Sequence, residues 1–96
     1  MAVVETTTFR LAPGVSRDDF LALDRHLQTE FLYHQPGFAR RTTAQRGTEW
    51  VVVTLWASEA DAAKAEDAAA GDPLQTGFDA LLEPGSVDRR RYDTLD

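Results

Sequence analysis

The chain has no cysteine, only one lysine (Lys64) among its ten basic residues, and no long uninterrupted hydrophobic run. Without cysteine it can form neither disulfides nor thiolate metal sites. No apolar segment approaches the roughly 20 residues that a membrane-spanning helix needs. The first residues lead directly into strand-like sequence rather than into a signal peptide. We therefore expect a cytoplasmic protein with no membrane partner.

Basic residues are also too few for a typical nucleic-acid-binding protein. Acidic residues outnumber Lys and Arg by 16 to 10, for a net charge of −6, whereas nucleic-acid binding favours a basic surface. The basic cluster at 89–91 is flanked by Asp88 and Asp93, which is typical of a solvated edge strand with local ion pairs. We expect no nucleic-acid partner.

The pattern of the chain predicts one domain over residues 1–96 with the order β-α-β-β-α-β and a short extra helix. The run WVVVTLW at 50–56 is almost wholly β-branched or aromatic, which is typical of a buried strand. Turn signals at Pro36-Gly37 and Gly47 make it half of a hairpin. The predicted fold class is α+β, a ferredoxin-like four-stranded antiparallel sheet with its helices on one face.

Three helix starts are indicated by capping residues. Ser16 and Ser58 each stand three residues before an aspartate, and Asp72 precedes a proline at the first helical position. In the first helix the apolar stripe Phe20, Leu23, Leu27 and Phe31 has a 3.6-residue period, and one more turn extends it to His34.

The strand at 50–56 does not alternate between apolar and polar residues. Val51, Val53 and Leu55 share one face, and Trp50, Val52, Thr54 and Trp56 share the other, so both faces are expected to be buried. A second copy of the same sheet is the simplest cover, which predicts a homodimer. The alternative is a monomer with Trp50 at a wet strand end and only Trp56 buried.

Several stretches resemble the antibiotic-biosynthesis-monooxygenase-like proteins. They are TFRLAPG at the start, QPGFARR after the first helix, LWAS at the end of the third strand, and RRYDTLD at the close. The resemblance covers nearly the whole chain and implies a dimeric α/β barrel in which two four-stranded sheets face each other. Characterised members of this family carry out cofactor-independent oxygenation of phenols or quinols, or haem degradation, and many other members have no known activity.

The residues of the haem-degrading members do not carry over. Where they have Asn on the first strand this chain has Thr7, and where they have Trp on the second helix it has Ala65 or Glu66. Their haem-ligating His falls near 75–78, and no histidine follows His34. We therefore expect no haem and no other bound cofactor or metal.

The oxygenases keep an Asn and a Trp on the third strand and a Tyr shortly after it. Here Trp56 matches the Trp, Val52 stands at the Asn position, and Ala62 lies near the Tyr position. One residue of three is retained, so the resemblance specifies the fold better than the reaction.

Two side chains are candidate catalytic residues. His34 extends the stripe of the first helix to its C-terminal end, where a proton-transfer role or a histidine satisfied by the adjacent turn are both open. Arg41 and its neighbour Arg40 leave the turn on opposite faces, so at least one of them should point inward, and Glu5 is the predicted partner of that inward arginine. The pair would be either a structural ion pair or an anion-binding floor.

Asp24 and Glu30 flank the stripe of the first helix, where they could serve as buried acids or bases, but they are interpreted as solvated helix border residues.

The second helix, 59–70, is apolar only through alanine, so it either packs closely on the sheet or leaves space beneath it. Such a space would form an apolar cavity for a flat aromatic compound, with Phe31, Trp56 and Phe78 holding the ring and Thr7 as a polar contact. Two hypotheses follow. One is a cofactor-independent monooxygenase or binder of a small aromatic or quinone-like compound. The other is a non-catalytic homodimeric binding or assembly module.

Overall fold

A computed structural model describes residues 1–95 of the chain. Its elements, in chain order, are β1 (Val3–Phe9), α1 (Arg17–Glu30), a 3₁₀ turn (Leu32–His34), β2 (Phe38–Arg46), β3 (Glu49–Trp56), α2 (Glu59–Ala69), α3 (Pro73–Ala80) and β4 (Asp88–Asp93). The strands form one antiparallel sheet in the order β2-β3-β1-β4. The predicted α+β fold class with its extra short helix is confirmed.

The three helices begin where the capping residues predict. Ser16 accepts a hydrogen bond from the backbone of the third residue after it, and Ser58 does the same for α2. Asp72 accepts from two backbone N–H groups of α3, whose first residue is Pro73. Each cap satisfies N–H groups that have no partner within the helix, so the local sequence alone fixes these starts.

Helix α1 ends earlier than its apolar stripe predicts. Phe31 leaves the helical region with φ −123°, and the next three residues form the 3₁₀ turn. A 3₁₀ turn has three residues per turn instead of 3.6, so side chains after Phe31 no longer follow the stripe of α1. The prediction that His34 extends the buried stripe is therefore wrong, and His34 is exposed.

The Pro36-Gly37 reversal is fixed by a close approach to α2. Gly37 has φ +81°, and a Cβ at this position would collide with the side chain of Asp61. The carbonyl of Gly37 also accepts a hydrogen bond of 2.8 Å from the backbone N–H of Ala57. Only glycine meets both the positive φ and the lack of space.

Both tryptophans of β3 lie under the protein's own helices. Trp50 is 4% exposed and Trp56 is 2% exposed. Trp50 packs against Phe20 with ring centroids 4.9 Å apart, and Phe20 in turn contacts Phe9 and Phe78. The alternative with Trp50 at a wet strand end is wrong, because this aromatic cluster covers that end of the sheet.

The opposite face of the sheet has no helix over it within residues 1–95. Its central residues Val51, Val53 and Leu55 are half-buried, and Val4 on β1 lies opposite Leu55 in the strand register. Tyr92, on β4, is 49% exposed and pairs with Val4. The open face is thus aliphatic along β3 and largely polar on the strands beside it, while the tryptophan face is the covered one.

Every helix in the described part of the chain falls short of the length and apolar character that crossing a bilayer demands.

Candidate functional site

A cavity of about 570 Å³ lies between the helix-covered face of the sheet and helices α2 and α3. Its apolar wall combines the small side chains of α2 with aromatic rings. The residues that supply this wall are Ala62, Ala65, Ala69, Phe31, Trp56 and Phe78. Alanine reaches little further than the backbone, so α2 covers the sheet without filling the space beneath it. Of the two interpretations of the alanine helix, the structure supports the cavity.

Trp56 is held in place by one hydrogen bond and one aromatic contact. Its indole Nε1–H donates to Glu5 Oε1 at 2.6 Å, and Phe38 packs against it edge-on with ring centroids 5.6 Å apart. A buried indole N–H needs a partner, and a carboxylate acceptor makes this a strong one. The ring therefore presents one fixed orientation to the cavity.

A row of polar side chains crosses the sheet beneath the cavity. In the strand register Arg41 on β2 lies opposite Thr54 on β3, which lies opposite Glu5 on β1, which lies opposite Arg91 on β4. All four line the cavity. Residues in register on adjacent strands point to the same face, so the pairing of the strands determines the order of these four polar side chains.

At the β2 end of the row, Arg41 forms a buried ion pair with Asp24 of α1. Arg41 Nη2 lies 2.6 Å from Asp24 Oδ1, and the two side chains are 8% and 4% exposed. Thr43 and Gln28 donate to the other oxygen, Asp24 Oδ2, at 2.9 and 3.0 Å. The predicted partner Glu5 is wrong, and so is the solvated position of Asp24, because Asp24 faces β2 across the helix–sheet interface.

At the β4 end of the row, Arg91 joins the sheet to α2. Its Nε and Nη2 donate to Glu5 Oε2 at 3.0 and 2.8 Å, and its other bonds reach Glu59 and Glu66. The hydrogen bond to Glu5 raises the pKa of Arg91 above its ordinary value, outweighing the opposite effect of partial burial. Arg91 is therefore a permanent cation that ties Glu5, and through it Trp56, to the helix over the cavity.

Five of the six predicted site residues meet at this cavity. Thr7, Phe31, Arg41, Trp56 and Phe78 all line it. His34 does not, because the 3₁₀ turn places it on the exposed surface. The structure brings the five together geometrically, and their chemical roles stay predictions.

Sequence reasoning missed Glu5 as the partner of Trp56 and Arg91 as the link to α2, and it favoured a solvated position for Asp24 over the buried one that the structure shows. For Asp24 a signal was present, since the spacing Phe20, Asp24, Leu27 follows the helical period and puts it on the buried stripe. No comparable local signal exists for the other two, which depend on pairing between strands far apart in sequence.

Within residues 1–95 no three His, Asp or Glu side chains cluster in a way that could hold a metal ion. The polar groups that line the cavity are arginines, threonines, Gln75 and three carboxylates that already pair with arginines.

The chain matches no protein-family model, and no curated protein matches its sequence. Solved structures do match. SnoaB, a cofactor-independent oxygenase from Streptomyces nogalater (mutant N63A), superposes with a TM-score of 0.82 at 17% identity over 99% of this chain and 94% of its own. A protein from Chloroflexus aurantiacus assigned as an antibiotic biosynthesis monooxygenase gives 0.71 at 13% identity, over 100% and 95%.

A NIPSNAP family protein from Agrobacterium tumefaciens gives a TM-score of 0.70 at 18% identity, covering 100% of this chain and 95% of its own. The chain therefore has the fold of the antibiotic-biosynthesis-monooxygenase-like proteins over its whole described length, which confirms the resemblance at the level of the fold. Proteins with different names share this fold, so the fold does not choose the reaction.

Proposed function

We propose that the protein binds a small flat aromatic compound of the phenol or quinone class in the cavity and oxidises it with molecular oxygen, without a bound cofactor. The observation that carries this proposal is the cavity itself, with three aromatic side chains and a buried arginine around one space. The similarity of the fold to the oxygenase SnoaB supports the same reading.

The dimensions of the cavity suit such a ligand. Small-molecule sites usually measure about 300–1,000 Å³ and combine apolar walls with a few polar groups. At about 570 Å³ the cavity falls inside this range. A ring of two or three fused cycles would lie against Trp56, Phe31 and Phe78, and the threonines Thr7 and Thr54 would offer polar contacts along the sheet.

The reaction needs no external reductant when the substrate supplies all four electrons. With 1-naphthol, one oxygen atom of O₂ replaces the hydrogen at the para carbon as a carbonyl oxygen, and the other leaves as water. The phenolic O–H becomes the second carbonyl, so 1-naphthol and O₂ yield 1,4-naphthoquinone and H₂O. Oxygen consumption and quinone absorbance then measure the same event.

The experiment compares two substitutions on the same helix. Ala65→Phe places a ring inside the cavity, whereas Ala63→Phe adds the same ring on the exposed side of α2. We expect Ala65→Phe to remove binding of 1-naphthol and its oxidation, and Ala63→Phe to retain both. Equal activity of the two variants would contradict the proposal, because the reaction would then take place elsewhere.

The non-catalytic module is the second candidate, and Val52 favours it. Val52 lines the cavity at the position where the oxygenases of the resemblance have Asn, and its side chain offers no polar group. Binding of 1-naphthol to the unsubstituted protein without oxygen consumption would establish this alternative over the enzyme.

We further propose that the protein forms a homodimer through the open face of the sheet. The half-buried Val51, Val53 and Leu55 form a continuous aliphatic strip along β3, and an apolar strip that remains partly open to solvent is typical of an association surface. A second copy offers the same strip, as a twofold interface requires. Location in the cytoplasm stays a prediction from the sequence.

A further inference from the structure

Arg41 is buried but only partly used by the protein. Its side chain is 8% exposed, and it donates one hydrogen bond from Nη2 to Asp24 Oδ1. Its Nε is shielded from water and has no acceptor within residues 1–95. A ligand in the cavity cannot reach a nitrogen that is shielded from solvent, so the side chain can offer a ligand only the N–H groups of its Nη atoms, of which Asp24 accepts one.

The ion pair holds the guanidinium in place. Asp24 accepts from Thr43 and Gln28 as well as from Arg41, so the carboxylate is fixed from α1 and β2 together. On its other side the guanidinium carbon lies 5.3 Å from the centroid of the Phe78 ring. The cation is therefore anchored between a carboxylate and an aromatic face, while the side chain lines the cavity.

A guanidinium donates hydrogen bonds and accepts none. An aromatic hydrocarbon in the cavity would cover the cation further and leave its free N–H groups unpaired, whereas a ligand oxygen that accepts a hydrogen bond would satisfy them. A site built to hydrogen-bond a ligand discriminates strongly against an analogue that lacks the matching group. Arg41 would therefore discriminate between aromatic ligands that carry such an oxygen and those that lack it, whatever the shape of the ring.

Resting on the proposed function, we propose that the cavity selects flat aromatic ligands that carry a hydrogen-bond-accepting oxygen, a quinone carbonyl or a phenolate, and that Arg41 recognises this oxygen. The ring then lies against Phe78 and Trp56, and the oxygen points to the α1 side of the cavity. Arg41 orients the ligand with one end inward, which leaves the opposite end of the ring toward Arg91.

The test uses two probes of nearly the same shape, 1,4-naphthoquinone and naphthalene, measured by equilibrium dialysis. The affinity ratio of the two probes is compared between the unsubstituted protein and a double variant, Arg41→Met with Asp24→Leu, that removes both charges together. Arg46→Met is the matched control, because Arg46 is exposed at the end of β2. Comparing ratios cancels the difference in hydrophobicity between the probes.

We expect the ratio to fall about tenfold or more in the double variant, as for the loss of a hydrogen bond to a charged group, with naphthalene binding retained and the control unchanged. A ratio that stays the same would overturn the role of Arg41 while leaving the aromatic cavity intact. Failure of both probes to bind the unsubstituted protein would overturn the proposed function, and this inference with it.

A second measurement needs no variant and decides the question if the double variant does not fold. The infrared carbonyl stretch of naphthoquinone bound to the unsubstituted protein should lie below its frequency in a hydrocarbon solvent, because a cationic donor weakens the C=O bond. A frequency equal to the hydrocarbon value would show that no donor reaches the oxygen, and would overturn the inference.

Discussion

Removing Arg41 while keeping Asp24 should destabilise the protein severely. In Arg41→Met the Asp24 carboxylate stays 4% exposed and loses its only cationic partner within residues 1–95. It keeps the donors Thr43 and Gln28, so the loss is not total. Removing one partner of a buried ion pair costs about 3–5 kcal/mol. Because Thr43 and Gln28 still donate to the carboxylate, we expect a loss at the low end of this range, about 3 kcal/mol.

The double variant Arg41→Met with Asp24→Leu should recover most of that loss. Two apolar side chains of similar volume replace the pair, and such replacements are close to neutral. The two single changes should therefore be strongly non-additive, with a coupling energy of about 2 kcal/mol or more. Asp24→Leu alone should also be severe, since it leaves the Arg41 cation buried and unpaired.

The assay is urea unfolding followed by tryptophan fluorescence and by circular dichroism, at one fixed protein concentration because a dimer makes stability concentration-dependent. A loss of about 3 kcal/mol moves the urea midpoint by about 2 M at an m-value near 1.5 kcal/mol/M. In a thermal scan it lowers Tm by about 12–24 °C.

A loss below about 1 kcal/mol in Arg41→Met would refute the reasoning, because it would mean that the pair is solvated like a surface ion pair. Additive single changes would refute it as well, since they would show that the two side chains do not depend on each other.

Gly37→Ala should destabilise the protein more than Gly14→Ala. Both glycines have positive φ, which costs alanine about 1–2 kcal/mol. Only at Gly37 would the added Cβ also collide with Asp61, whereas the space at Gly14 is open. Equal urea midpoints for the two variants would contradict this prediction. Arg91→Ala should speed hydrogen exchange of the α2 amides while changing global stability by only about 1 kcal/mol or less, since its partners on α2 are largely exposed; unchanged α2 exchange would show that the helix is held by packing alone. Val53→Arg should halve the mass measured by sedimentation velocity if the open face is the dimer interface, and an unchanged mass would place the interface elsewhere or show a monomer.

The cavity and its cover are stabilised in different ways. The aromatic cluster around Phe20 holds the sheet, α1 and α3 together by burial. Helix α2 buries Ala62 and Ala65 and is joined to β4 by the ion pairs of Arg91. Exposed ion pairs contribute little, so we expect α2 to be the less stable wall and the side from which a ligand enters.

The sequence by itself determined the elements and their starts. The caps at Ser16, Ser58 and Asp72 bond to backbone groups within three residues. The β-branched and aromatic residues at 50–56 favour a strand through their own side chains. Neither the helix starts nor this strand therefore depends on contacts distant in sequence. The reversal at Pro36-Gly37 was predicted for the same reason. From this order of elements the ferredoxin-like sheet follows, because short connections leave few topologies.

Only the tertiary structure decided which face of β3 the helices cover and which partners the charged residues take. The period of a strand places its residues on two faces but does not say which face meets a helix, so the tryptophans could be assigned to the covered side only with helix packing known. The partner of Arg41 proved to be Asp24 rather than Glu5, because α1 crosses β2 at that point. His34 lies outside the site because the chain changes from α-helix to 3₁₀ turn after Phe31, which places His34 on the surface. Local sequence fixes local conformation, whereas ion pairs and cavity walls depend on residues that meet only after the chain has folded.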